Sequence, residues 1–165
     1  MTLPVLDLQS SSLQEGLGDP YLKLRLSDRI PVALPMEAAR EVIVVPVEQV
    51  TPIPNMPTCV LGLLNQRSRV FWVVDLSIML GYAGFMANTR EYNIAILQVG
   101  QVPLGLAVPT VQGVTRFPSE IVQSPIGTVA PSIAPYLRGC LPEEREILLV
   151  LDPNAIVNAS VLQRQ

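Results

Sequence analysis

The sequence predicts an all-β, barrel-like protein made from a duplicated unit, and three observations lead there. First, Gly62 and Asp75 stand 13 residues apart, and Gly139 and Asp152 repeat that spacing. Ala33-Leu34-Pro35 returns as Ala107-Val108-Pro109, so the copies lie 74 to 77 residues apart. One duplication of this length is a repeated small β unit rather than a solenoid, whose periods are shorter and more numerous. Second, the apolar residues alternate or form short β-branched runs, the pattern of strands. Third, proline and glycine interrupt the chain so often that only stub helices have room to form.

Residues 1–19 lack periodicity and include Ser10-Ser11-Ser12, so they are expected to be a mobile lead-in. In residues 21–27 the leucines alternate with polar side chains, the period of a half-buried strand. Asp28-Arg29 turns the chain and 30–34 runs back. Residues 36–40 have helical propensity, but Val42-Ile43-Val44-Val45 is β-branched and reads as strand. Three prolines among residues 51–57 make a stiff surface loop, which loses little entropy on binding. Residues 60–64 and 70–74 form a hairpin with Asn65-Gln66-Arg67-Ser68 at its tip. A short helical turn follows, capped by Asp75 and stopped by Gly81. The second copy has Asp152 as cap and Pro153 at the first helical position.

Residues 82–91, with Gly84 and no clear period, are the expected hinge between two lobes, 20–84 and 90–158. Residues 93–99 and 102–108 form a hairpin through Gly100-Gln101, with Ile94, Ile96 and Leu97 as candidates to face inward. Residues 111–117 make another strand. The stretch 118–135 is a long Pro/Ser/Gly-rich connection, and 159–165 is a C-terminal tail beyond a domain spanning 20–158.

Composition narrows the function. Charged residues are 15% of the 165, against about 25% in an average soluble domain, while hydrophobic residues are 49%. That surplus points to an exposed apolar contact patch. No apolar run is long enough to span a bilayer, so membrane insertion is not expected. A net charge of −3 with no basic stripe argues against nucleic acid. The N-terminus has no basic segment leading into an apolar run, so a cytoplasmic location is expected. Cys59 and Cys140 are expected to be buried, reduced thiols, and the lone Trp72 to pack in the core. The chain contains no histidine, which removes the usual general base, the histidine-activated nucleophiles and the commonest metal ligand. There is no Gly-rich phosphate loop and no calcium-loop spacing. Neither an enzyme nor a cofactor or metal is expected.

Several segments, in order, resemble one family. These are Arg40-Glu41-Val42, Pro52-Ile53-Pro54-Asn55-Met56-Pro57, Leu61-Gly62-Leu63-Leu64-Asn65-Gln66-Arg67-Ser68 and Val73-Val74-Asp75-Leu76. They resemble the V-R-E-[VI] motif, proline loop, G-[VI]-x-N-x-R-G hairpin and [VI]-D-L strand end of the CheW family, adaptors that couple chemoreceptors to CheA-type histidine kinases. Gly105-Leu106-Ala107-Val108 through Gly113-Val114 resembles that family's G-L-x-V-D-x-V-x-G-V. The resemblance implies two SH3-like five-stranded barrels side by side, with short helical turns after each lobe's last strand and no active site. It implies two partners: the regulatory domain of a CheA-type histidine kinase, and a methyl-accepting chemoreceptor whose helical tip enters a groove between the lobes. Three departures stand out: Ser68 in place of Gly, Pro109 in place of Asp, and the acidic turn Pro142-Glu143-Glu144-Arg145. They favour a divergent adaptor over a standard flagellar one.

By the same resemblance Glu41 and Arg67 are the charged contact residues, since an Arg can fix a hairpin to a neighbouring strand through a carboxylate. Asn65 and Met56 join them as partner-binding candidates. Leu64 and Val70 have two readings, contact patch or barrel filling. Two alternatives to the adaptor remain open: a competitor of the kinase's own regulatory domain, and a small-molecule binder using the inter-lobe groove.

Overall fold

The alternating leucines of the first strand pack between two sheets, while Tyr21 on its other face fills a barrel. In the computed structural model, which describes residues 18–84, 86–159 and 162, β1 (Asp19–Ser27) pairs with β2 (Ile30–Pro35) in an antiparallel hairpin. Leu22, Leu24 and Leu26 are all buried. Residues 36–40 then form turns rather than a helix and lead to β3 (Glu41–Pro46). After a 3-10 turn, Val47–Gln49, and the proline loop come β4 (Val60–Gln66), β5 (Arg69–Asp75) and the one-turn helix α1 (Leu76–Met79). The second copy follows as β6 (Glu91–Val99), β7 (Val102–Val108), β8 (Thr110–Phe117), β9 (Leu137–Pro142), β10 (Ile147–Leu151) and α2 (Pro153–Val157). Two 3-10 turns, Ser119–Ile121 and Ala134–Tyr136, punctuate the long connection before β9. Residues 1–17 of the expected mobile lead-in and most of the C-terminal tail lie outside the described residues, and Asp19, the last residue of that lead-in, already belongs to β1.

Among the described residues ten strands make two five-stranded sheets, ordered β8-β1-β2-β10-β9 and β3-β6-β7-β5-β4. Replacing each strand by its duplicate turns one order into the other, so both sheets have the same plan. Their composition corrects the expected lobes 20–84 and 90–158. Strands β3 to β7, a continuous stretch, form the second sheet, and the β1–β2 hairpin joins β8–β10 in the first. The joins are parallel pairings, β2 on β10 at Val32↔Leu149 and β7 on β5 at Gly105↔Val73. The chain therefore crosses between sheets at residues 36–40 and again at Pro109, and 82–91 connects elements within the second sheet instead of hinging two lobes. Pro109 turns the chain with its carbonyl accepting a hydrogen bond from Asn93 Nδ2 at 3.1 Å.

Three cores result. One fills the first barrel around Tyr21, Phe117, Leu148 and Val150. A second fills the other barrel around Leu64, Phe71, Val73, Ile94 and Ile96. The largest lies between the sheets and includes Leu22, Leu24, Leu34, Leu97, Leu106, Leu149 and Ile156. Strand β6 is accordingly buried on both faces, Ile94 and Ile96 into its barrel, Ala95 and Leu97 toward the other sheet. Cys59 and Cys140 are buried free thiols, as expected.

The duplicated glycines have a physical reason. A Cβ on Gly62 would run into the backbone of Thr51, and one on Gly139 into the backbone of Gln123. At those places the incoming loop bridges to the barrel, Thr51 to Leu63 and Gln123 to Cys140. Both aspartates cap as the sequence predicts: Asp75 accepts from the Ile78 N–H at 3.2 Å, and Asp152 from those of Asn154 and Ala155.

Candidate functional site

The β4–β5 hairpin closes through two residues, Arg67 and Ser68, rather than the four expected. Gln66 pairs with Arg69, so both strands run one or two residues further than the sequence suggests. Arg67 and Ser68 have φ of 53° and 65°. Positive φ at both central residues is the hairpin turn whose twist matches the strands, and it favours Asn and Gly. Ser68 thus adopts the left-handed backbone expected of the Gly it replaces and bears the steric cost of a Cβ.

This turn holds Arg67 above the start of β3, where Glu41 sits. Arg69 Nη2 donates to Glu41 Oε1 at 3.2 Å, while Arg67 Nη1 lies 3.8 Å from Glu41 Oε2. The expected Glu41–Arg67 pair exists, but Arg69 is the nearer partner. Arg69 also lies over the Phe71 ring, 5.9 Å from its centroid. Side-chain exposure separates the roles: 76% for Arg67 against 40% for Arg69. Beside the cluster a crevice of about 350 Å³ is lined by Arg40, Glu41, Arg69 and Gln98.

The other expected contact residues divide. Asn65 is exposed and pairs across the hairpin with Val70, itself 60% exposed. Met56 is half-buried in the proline loop, whose Asn55 has φ 64°. Leu64 is fully buried in the second barrel, which removes it from any contact surface. The hairpin turn decides its face: Leu64 pairs with Phe71, and both point into the barrel. Trp72, on the opposite face, is only half-buried against the inter-sheet core. The β5–β7 register, continued toward the hairpin tips, brings Val70 level with Val102, which is 50% exposed. Sequence reasoning missed Arg69 and Val102. Period-two alternation from Phe71 would have put Arg69 at the barrel mouth, facing β3.

The geometry thus gives two duplicated β-barrels with a charged, rigid hairpin tip and an apolar strip beside it. The sequence matches the CheW-like domain family over residues 20–161, and the chain belongs to that family. It is similar to the Chemotaxis protein CheW of Treponema pallidum (strain Nichols), 28% identical over 124 residues that cover 73% of each chain. It is also similar to Protein PilI of Pseudomonas aeruginosa, 26% identical over 151 residues covering 92% of this chain and 80% of that one. Among solved structures, the scaffolding protein TtCheW from Thermoanaerobacter tengcongensis superposes with a TM-score of 0.71 at 18% identity, covering 82% of this chain and 90% of the other. That likeness establishes the fold of two five-stranded β-barrels.

Proposed function

We propose that this chain is a non-enzymatic adaptor of chemotaxis-type signalling that couples chemoreceptors to a CheA-type histidine kinase. The observation that carries the proposal is the tip of the β4–β5 hairpin. Arg69 braces Glu41, the two-residue turn fixes the backbone, and Arg67 is left exposed beside Asn65 and Val70. Such a site is preorganised for a protein surface, because few side chains remain to be ordered on binding. A chain without histidine lacks the commonest acid–base group, which accords with a scaffold rather than a catalyst. The similarity to Protein PilI, which spans 92% of this chain, favours a variant of the chemotaxis pathway over a standard one. The kinase regulatory domain takes the hairpin tip, and the receptor takes the apolar strip at Val70 and Val102.

Titration of the purified chain into receptor-containing vesicles with the kinase tests the coupling. An adaptor raises receptor-dependent kinase activity over a range of concentrations. A competitor of the regulatory domain only lowers it, and that outcome would overturn the adaptor role.

A further inference from the structure

Where β1 begins and β2 ends, at the far corner of the first barrel, a crevice of about 260 Å³ opens to solvent. Its floor is rigid. The Tyr21 ring is 2% exposed and stacks on Phe117, with centroids 3.9 Å apart and planes within 9°. The phenol lies among Asp19, Arg138 and Glu37. Burial raises its pKa, Asp19 raises it further, and the Arg138 guanidinium opposes them. Ser119 Oγ donates to Asp19 Oδ2 at 3.1 Å and so orients that carboxylate. Arg138 Nη2 stands 3.7 Å from Glu37 Oε1, a loose ion pair.

The duplication supplies an internal control. Gly139 corresponds to Gly62, so Leu61 holds the place of Arg138 in the other repeat. Tyr21 lies opposite Pro35, and the duplicate of Pro35, Pro109, follows Val108, which pairs with Asn93 beside Tyr92. The scaffold therefore keeps a tyrosine and a proline at both corners but needs no arginine there. Arg138 is particular to this corner of the molecule.

The crevice gathers a planar cation, a phenol and two carboxylates over an apolar lining that includes Pro35. An Arg fork with an adjacent hydroxyl suits a carboxylate, and paired carboxylates suit an ammonium. At roughly 30 Å³ per water-sized group, the space admits a ligand of about eight or nine non-hydrogen atoms. We propose that this crevice binds a small free amino acid as its zwitterion, the carboxylate on Arg138 and Tyr21, the ammonium between Asp19 and Glu37. Two carboxylates against one guanidinium leave the site net negative, so acidic amino acids bind more weakly than neutral ones. Glu37 also lines the crevice beside Glu41 and Arg69, so a bound ligand alters a wall shared with the hairpin site.

The test is an amide NMR titration of the full chain with L-serine and L-alanine, up to about 20 mM, a range that detects millimolar affinity. Saturable shifts clustered at residues 19–21, 35–37, 119 and 138 are expected. N-acetylserine, serinamide and L-glutamate should each bind about tenfold more weakly or worse, since each loses or opposes one charge-assisted contact. Arg138→Leu, which restores the residue of the other repeat, should abolish saturation while the circular-dichroism melt stays as wild type. No saturable shift with either amino acid, or equal binding of the blocked ligands, overturns the proposal without recourse to any variant. Binding that survives Arg138→Leu overturns it as well.

Discussion

Glu41 is bound chiefly by Arg69, at 3.2 Å, while Arg67 stands 3.8 Å away with most of its side chain in solvent. The two arginines flank the same turn and share one carboxylate, yet one braces the hairpin and the other faces outward.

Their substitutions should therefore separate. Arg69→Ala removes a partly exposed charge-assisted hydrogen bond and the packing over Phe71, and should cost about 0.5–1.5 kcal/mol of stability. Arg67→Ala should cost less than about 0.5 kcal/mol, as an exposed pair does. Urea denaturation of both variants and the double mutant with Glu41→Ala measures the difference. Equal losses would contradict the division of roles.

Ser68 adopts φ 65° without being glycine. Ser68→Gly should remove the Cβ penalty of the left-handed backbone and raise stability by roughly 0.5–1 kcal/mol, despite the larger entropy of the unfolded chain. An increase in the urea midpoint at unchanged m-value checks it. Ser68→Val should lower that midpoint, because a β-branched side chain tolerates this backbone worst.

Gly62→Ala should be among the most damaging single-methyl changes. The residue has φ 147° and its Cβ would meet the Thr51 carbonyl, so either the loop bridge or the strand must move. A loss of about 2 kcal/mol or more is expected from overpacking and strain together. Gly100→Ala, also at positive φ but with nothing near its Cβ, should cost less, and the comparison isolates the packing part.

Asp75 and Asp152 cap equivalent helices, but Asp75 is 3% exposed. Burial raises its pKa, only partly countered by the N–H groups of Ile78 and Ser77. A carboxyl whose folded pKa lies above its unfolded value favours the fold fully below the unfolded value, about 3.9, and that contribution is lost as pH rises through the folded value. Asp75→Asn keeps the cap and should flatten this fall, leaving the variant at least as stable as wild type at pH 7. Stability measured from pH 4 to 8 checks it. An unchanged slope would mean that the carboxyl is solvated in solution.

Much of this was legible because the signals were local and obligatory. Gly62 and Gly139 recur because a loop carbonyl leaves no room for a Cβ, and Asp75 and Asp152 recur because helix ends need an acceptor. The exchange of the β1–β2 hairpin was not legible. It depends on whether β2 lies beside β10 or β5, and the duplicated strands offer similar apolar edges to both. The exposure of Leu64 was ambiguous for a related reason: Leu63 and Leu64 are both leucine, so the period alone cannot choose a face. The two-residue turn chooses it, and with Ser68 in the family's Gly position that turn was hidden in the sequence. Arg69 follows directly after the segment Leu61–Ser68 that matches the family pattern, so the pattern alone does not single it out.

Binding of wild type and Arg67→Glu to the regulatory domain of a CheA-type kinase from the same organism decides whether the hairpin tip is the kinase contact. Arg67→Glu sets a second carboxylate beside Glu41 on an exposed turn, so the fold should survive, as a melting curve would verify. Micromolar or tighter binding by the wild type, weakened at least about tenfold by the substitution, is the predicted result. Wild-type binding that Arg67→Glu leaves unchanged, or no binding to any such domain, would rule out the adaptor role proposed for this surface.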